Sequence, residues 1–331
     1  MSIESFSYAL PSIKNSYRDI AEATGADPNF IRDKVGLRER YVLGPDESSV
    51  SLSVKACENL FTRIDGLREE VELLVCVTQN PDRRIPHNAG LVAENLGLSN
   101  QLASFDVSLG CSGYVYGVQI VEAFLASTGM ETAVLVTCDP YSRVMALENR
   151  DTNAVFGDAA TATLIRANGD RSFILSADFG TDGSGADGIR IPAGGALKPF
   201  VSLNSEEATK TYSRDQLRLH MEGRAVFNFV MTKIPYSINC CLAKANRSID
   251  EIDHFILHQG STYMLKALTK RAKIPLEKTP INMDRYGNTV SSTLPLLLAE
   301  LDEKEKLKGT LVLLSGFGVG LSWGSMLVKF H

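Results

Sequence analysis

Residues 105–127, FDVSLGCSGYVYGVQIVEAFLAS, constrain the fold more than any other stretch of the 331-residue chain. A short apolar run, 105–109, reads as a strand end. The tight Gly110-Cys111-Ser112-Gly113 turn follows. Small and apolar residues then run from Tyr114 to Ala126, the pattern of a helix buried on most sides. Cys111 is thereby placed at or near a helix N-terminus, where unpaired N–H groups and a positive dipole favour a thiolate. Such a thiol is expected to have a lowered pKa and to serve as a nucleophile.

The rest of the chain alternates helices and strands. Helices are expected at 16–23, at 28–34 (N-cap Asp27, Pro28 at N1), at 48–64 and at 88–96, which ends on Gly97. Others are expected at 223–246, where Pro235 should kink or break the helix, at 263–272 and at 294–305. Strands are expected at 72–78, 132–137, 252–257, 310–315 and 321–330. Residues 153–165 read as strand, Gly-Asp turn, strand, and 203–214 as polar and exposed. The segment ELLVCVTQNP resembles DHFILHQGS, and AVFGDAATATLI resembles LLSGFGVGLSWGSMLV. This weak duplication points to α/β architecture in two similar halves, 1–167 and 168–331.

A net charge of −5 argues against a nucleic-acid binder, and no apolar run reaches the ~20 residues of a membrane span. The N-terminus lacks a signal peptide's basic and apolar regions, so a cytoplasmic setting is expected. None of the six cysteines forms a CxxC pair, and no His/Cys/Asp cluster has metal-ligand spacing. Reduced thiols and no metal are expected, with Cys76 and Cys138 acting as core residues.

A nucleophilic cysteine needs a nearby base or cation and donors for an oxyanion. Three features qualify: His258 at a strand end, Asn288 in the Arg285–Thr289 turn, and the Gly316–Gly320 turn. Singly, each has an ordinary structural role as hydrogen-bonder, turn residue or hairpin.

Taken together, seven segments resemble the β-ketoacyl-acyl carrier protein synthase III family of thiolase-fold condensing enzymes. They are GLRER (36–40), DVSLGCSGYVYG (106–117), FGDAATA (156–162), MEGRAVFNF (221–229), LHQ (257–259), YGNT (286–289) and GFGVGLSWGSMLVKF (316–330). The resemblance implies a thiolase-like fold, two βα halves packed in five α-β-α-β-α layers. It assigns the family's Cys, His and Asn to Cys111, His258 and Asn288. Cys111 would take an acyl group from a thioester such as acyl-CoA. His258 and Asn288 would polarise a malonyl thioester, on CoA or acyl carrier protein, for decarboxylative condensation. The N–H of Cys111 and one from Gly318–Val319 would form an oxyanion hole. No cofactor is implied.

The resemblance also implies substrate contacts at Phe30 and Arg150, which would sandwich adenine, and at Lys34 and Phe317. Ile85, in the 80–86 loop, would cap the acyl pocket of a homodimer partner. Lys266, Lys270, Arg271 and Lys273 would dock an acidic carrier protein, with Lys266/Lys270 and Lys270/Lys273 each sharing a helix face. Ser261 and Tyr263 replace the family's asparagine and basic residue, which suggests a synthase specialised for a secondary pathway. Two other readings stay open: an acyltransferase that passes the acyl group to an alcohol or amine, and a non-catalytic partner subunit.

Overall fold

The computed structural model describes residues 1–169, 171–199 and 212–331. Most of the 203–214 stretch therefore lies outside the described residues. The strands are β1 (Ser2–Ala9), β2 (Ile13–Ser16), β3 (Glu39–Val42), β4 (Leu73–Val77), β5 (Ala103–Val107), β6 (Thr132–Cys138), β7 (Ala160–Arg166), β8 (Ser172–Thr181), β9 (Ile189–Arg190), β10 (His220–Met221), β11 (His254–Leu257), β12 (Leu311–Gly318) and β13 (Ser322–Phe330).

Two sheets carry the fold. One has the order β1-β7-β6-β4-β5, the other β11-β12-β13-β8. Each begins at an antiparallel strand, passes a second antiparallel strand and ends in parallel pairing. β11 thus stands where β4 stands, and β13 where β7 stands, in accord with the two segment pairs that suggested duplication. Between the sheets lie the Gly113–Thr128 and Thr293–Asp302 helices, packed with Val75, Val77, Leu135, Val312, Leu314 and Met326 in one core. The Ser49–Phe61 and Asn88–Leu96 helices cover the outer face of the first sheet. The Gly223–Lys244 and Thr262–Ala272 helices cover the second. The result is five layers, α-β-α-β-α. We propose 167/168 as the boundary between halves, since β7 ends at Arg166 and β8 starts at Ser172.

Three local expectations are corrected, and a fourth holds with a change of helix type. Residues 153–159 form no strand: a short helix ends at Asn153, Phe156 makes one isolated bridge to Asn288, and pairing begins at Ala160. That backbone is committed to holding the Asn288 loop. Pro235 does not break the Gly223–Lys244 helix. Val230 and Ile234 on one side of it, and Ile238 and Cys241 on the other, are buried in one cluster, and this packing outweighs the missing hydrogen bond. Residues 28–35 are helical as expected, the Phe30–Val35 part as a π-helical turn, and Asp27 caps them, its Oδ1 accepting from Asn29 N at 2.9 Å. Gly316–Gly318 belong to β12, so the expected glycine turn shrinks to Val319–Leu321.

Arg40 ties these parts together. It is 2% exposed, and its guanidinium donates to the carbonyls of Asn153 and Phe156 and to Asn153 Oδ1. Asp158, also buried, faces it electrostatically. Arg40→Ala is expected to cost about 3 kcal/mol of folding free energy, because it strands buried acceptors and an unpaired carboxylate. Urea denaturation of the variant against the parent checks this.

Candidate active site

Cys111 sits two residues before the Gly113–Thr128 helix, on a turn closed by Gly113 N donating to Gly110 O at 2.7 Å. Ser112 carries no side-chain cap bond. Its Oγ instead pairs with Ser322 Oγ at 2.6 Å, pinning the turn to β13. β12 can lie against the thiol because of its glycines. A Cβ on Gly318 would stand 2.8 Å from Cys111 Sγ, and one on Gly316 2.7 Å from the Cys111 carbonyl. The lowered thiol pKa expected from the helix N-terminus is corrected. Burial pushes the thiol up to about 12, and the nearby Asp139 adds to this, while the N–H groups of Val319 and Cys111 pull it back.

His258 follows β11, is 4% exposed and meets the Phe317 ring edge-on at 5.5 Å. Its Nδ1 lies 2.8 Å from Thr293 Oγ1, which also reaches the Val290 carbonyl at 3.0 Å. Burial holds the imidazole down at about 3, so the ring is neutral at physiological pH.

Asn288 is placed by backbone from the other half. Its N–H donates to Val155 O at 2.9 Å, and its carbonyl accepts from Gly157 N at 3.0 Å. The side-chain Oδ1 accepts from Val290 N at 2.9 Å, which leaves Nδ2 as the free donor.

Cys111, His258 and Asn288 line one chamber of about 400 Å³, with Phe317, Gly318 and Val319 on its wall. An outer cavity of about 510 Å³, lined by Phe30 and Arg150, shares Val155, Met221, Gly223 and Arg224 with the chamber. The two cavities adjoin along these four residues, between the Phe30/Arg150 mouth and the thiol. The Arg150 guanidinium lies over the Phe30 ring, 5.4 Å from its centroid. Lys34 stands exposed beside Val35, which lines the outer cavity. Ile85 is 87% exposed on its loop.

Lys266, Lys270, Arg271 and Lys273 are all exposed. Lys273, however, lies past the helix in a left-handed conformation (φ 57°), so its expected helical pairing with Lys270 is corrected. Ser261 caps that helix, its Oγ accepting from Met264 N at 3.2 Å, and Tyr263 stacks on Phe227 at 5.8 Å. Among the described residues, no cluster of three or more His, Cys, Asp or Glu is arranged to hold a metal, and no helix is long and apolar enough to cross a membrane.

Three site residues escaped the sequence reading. Thr293, just before the expected 294–305 helix, and Tyr141, after the expected 132–137 strand, fell in no expected element. Asp139, just after β6, had no motif around it. It is buried, accepts from Ser291 Oγ at 2.5 Å and from Gln79 N at 2.7 Å, and is pushed up to about 6 by burial.

The His258 shift has a consequence for stability. Below about pH 6.5 the unfolded chain takes up a proton that the folded chain refuses until about pH 3. Stability is therefore expected to fall as pH drops through that window, by at most about 1.4 kcal/mol per unit. A His258→Gln variant should lack this slope. Asp139 acts oppositely, losing stability as pH rises from 3.8 to about 6, but it is common to both proteins and cancels in the difference. Urea midpoints of both proteins across pH 4–7 check the sign; parallel curves would refute it.

Comparison with known proteins agrees with this geometry. The family described as 3-oxoacyl-[acyl-carrier-protein] synthase III matches residues 105–183, and its C-terminal part matches 242–330. The β-ketoacyl-[acyl-carrier-protein] synthase III of Aliarcobacter butzleri is 32% identical over 98% of this chain and 95% of its own. A crystal structure of a 3-oxoacyl-(acyl-carrier-protein) synthase III superposes with a TM-score of 0.91 at 33% identity, covering 99% of each chain. The synthase III from Pseudomonas aeruginosa PAO1 gives a TM-score of 0.86 at 27% identity, covering 99% of this chain and 97% of that one. The chain belongs to the β-ketoacyl-[acyl-carrier-protein] synthase III family.

Proposed function

We propose that this acyltransferase loads an acyl group from an acyl thioester onto Cys111 and condenses it with a malonyl thioester. The observation that carries this reading is one chamber holding a thiol, a neutral buried imidazole and an amide donor together.

In the first half-reaction the Cys111 sulfur attacks the thioester carbonyl. A new C–S bond forms, and the carrier thiolate leaves with the thiol proton. The Cys111 and Val319 N–H groups stabilise the tetrahedral oxyanion. In the second half-reaction the malonyl carboxylate departs as carbon dioxide, and the electron pair moves into an enolate. Asn288 Nδ2 and His258 Nε2 donate to the enolate oxygen. Thr293 Oγ1 holds the ring at Nδ1, 2.8 Å away, which leaves Nε2 as the nitrogen available to the enolate; this step requires the tautomer protonated there. The enolate carbon then attacks the acyl carbonyl, the Cys111 thiolate leaves, and a 3-oxoacyl thioester results.

The reaction as read uses no resident cofactor. Phe30 and Arg150 part to take adenine between them, Lys34 and Arg150 supply positive charge, and the exposed Lys266, Lys270 and Arg271 offer a face to an acidic carrier protein. A homodimer through the 80–86 loop fits the exposure of Ile85, Ile191 and Leu197. A cytoplasmic setting suits the substrates.

Intact-protein mass after incubation with acyl-CoAs, followed by a malonyl-CoA or malonyl-carrier-protein chase, tests the reading. An adduct on Cys111 that clears with release of carbon dioxide supports it. An adduct that ignores malonyl thioesters but clears with amines or alcohols identifies an acyltransferase without condensation.

A further inference from the structure

The Cys111 chamber does not end at Cys111. Beside it lies a second cavity of about 250 Å³, lined among the described residues by Gln79, Asn80, Val144, Arg190, Ile191 and Leu219. Tyr141, Ile189 and Val319 line both cavities and so form the wall between them. A carrier arm entering from the Phe30/Arg150 mouth occupies the near side of the thiol. The acyl group on Cys111 Sγ must point away from that arm, toward this wall.

Of the three wall residues, Tyr141 has the largest side chain and is held on several sides. It is 5% exposed and packs on Phe156 with ring centroids 5.0 Å apart. Its hydroxyl donates to Gln79 Oε1 at 3.4 Å, and its backbone N–H to Asp139 O at 2.8 Å. Val319 contributes a small side chain beside its N–H, and Ile189 is a smaller aliphatic on a two-residue strand.

We propose that Tyr141 is the specificity-determining residue for the acyl donor, closing the chamber against the second cavity and restricting the primer to short acyl groups. This rests on the acyl-cysteine reading above. The near chamber, about 400 Å³, must house the pantetheine arm as well as the acyl chain, which leaves little depth before the Tyr141 ring. Removing the ring joins the two cavities and gives a longer chain an apolar path between Val144, Ile191 and Leu219.

The test measures acyl-adduct formation by intact-protein mass with acetyl-, butyryl-, hexanoyl- and decanoyl-CoA. Wild type and Tyr141→Phe, which keeps the ring, are expected to load the short donors preferentially. Tyr141→Leu is expected to shift the decanoyl-to-acetyl rate ratio upward by about tenfold or more, the scale at which pocket depth discriminates chain length. Adding Leu219→Phe, which refills the second cavity from a buried position, should cancel that gain. An unchanged profile in Tyr141→Leu overturns the proposal. So does wild type loading decanoyl as readily as acetyl, whether or not the variants fold. No adduct on wild type with any donor overturns the acyl-cysteine reading itself, a result distinct from either.

Discussion

Cys111→Ala is expected to abolish acyl transfer from every CoA donor, with no mass shift that maps to the 105–128 region. The remaining cysteines offer no substitute. Cys57, Cys76, Cys138 and Cys241 are buried, and Cys240 lies half-exposed on the Gly223–Lys244 helix, away from the chamber lining. Peptide mapping separates a stray Cys240 adduct from a true one, and an adduct on the chamber peptide in the alanine variant would refute the assignment.

The pH behaviour of the wild-type thiol follows from its burial. With the pKa pushed up to about 12, little thiolate exists at neutral pH. Reactivity must come from stabilising the transition state, through the Cys111 and Val319 N–H groups, more than from a standing thiolate. Alkylation of Cys111 by iodoacetamide is therefore expected to keep rising through pH 9, where a low-pKa thiol would already have levelled off. A plateau below pH 8 would contradict this.

That thiol shows where sequence reading stops. The strand–turn–helix around residues 105–127 was readable, because Gly and small residues at fixed spacing leave few alternatives. The sign of the pKa shift was not, since it depends on how deeply two distant halves bury the turn. His258 and Asn288 were readable as candidates, but their tie to Cys111 needed the packing of β12 against the turn. Gly316 and Gly318 looked like a loop. They are strand residues, chosen because any side chain there would strike Cys111. Residues 153–159 had strand composition, yet their backbone serves Asn288. Tyr141 and Thr293 carried no local signal at all, because the partners that give them a role, Gln79 and His258, lie in distant segments of the same half. The helical and strand periodicities report burial within an element and are silent on contacts more than a hundred residues apart.

Asn288→Asp is expected to lower decarboxylative condensation by roughly 10²- to 10³-fold while sparing acylation of Cys111. Aspartate is the sharper probe here than alanine. Val290 is a β-branched residue held at a φ of 56°, a costly conformation, and the bond from its N–H to Asn288 Oδ1 helps to hold it there. Alanine removes both that acceptor and the Nδ2 donor, so its loss of activity would not separate a relaxed loop from a missing donor. Aspartate keeps an acceptor for Val290 and removes only the donor. It also places negative charge where the enolate forms, which adds to the loss. Acylation, as proposed, draws on the Cys111 and Val319 N–H groups and not on Asn288, and should persist. Single-turnover loading measured by mass, followed by carbon dioxide release after a malonyl chase, separates the two steps. Equal loss of both in Asn288→Asp would remove Asn288 from the enolate and leave it as a scaffold for the loop.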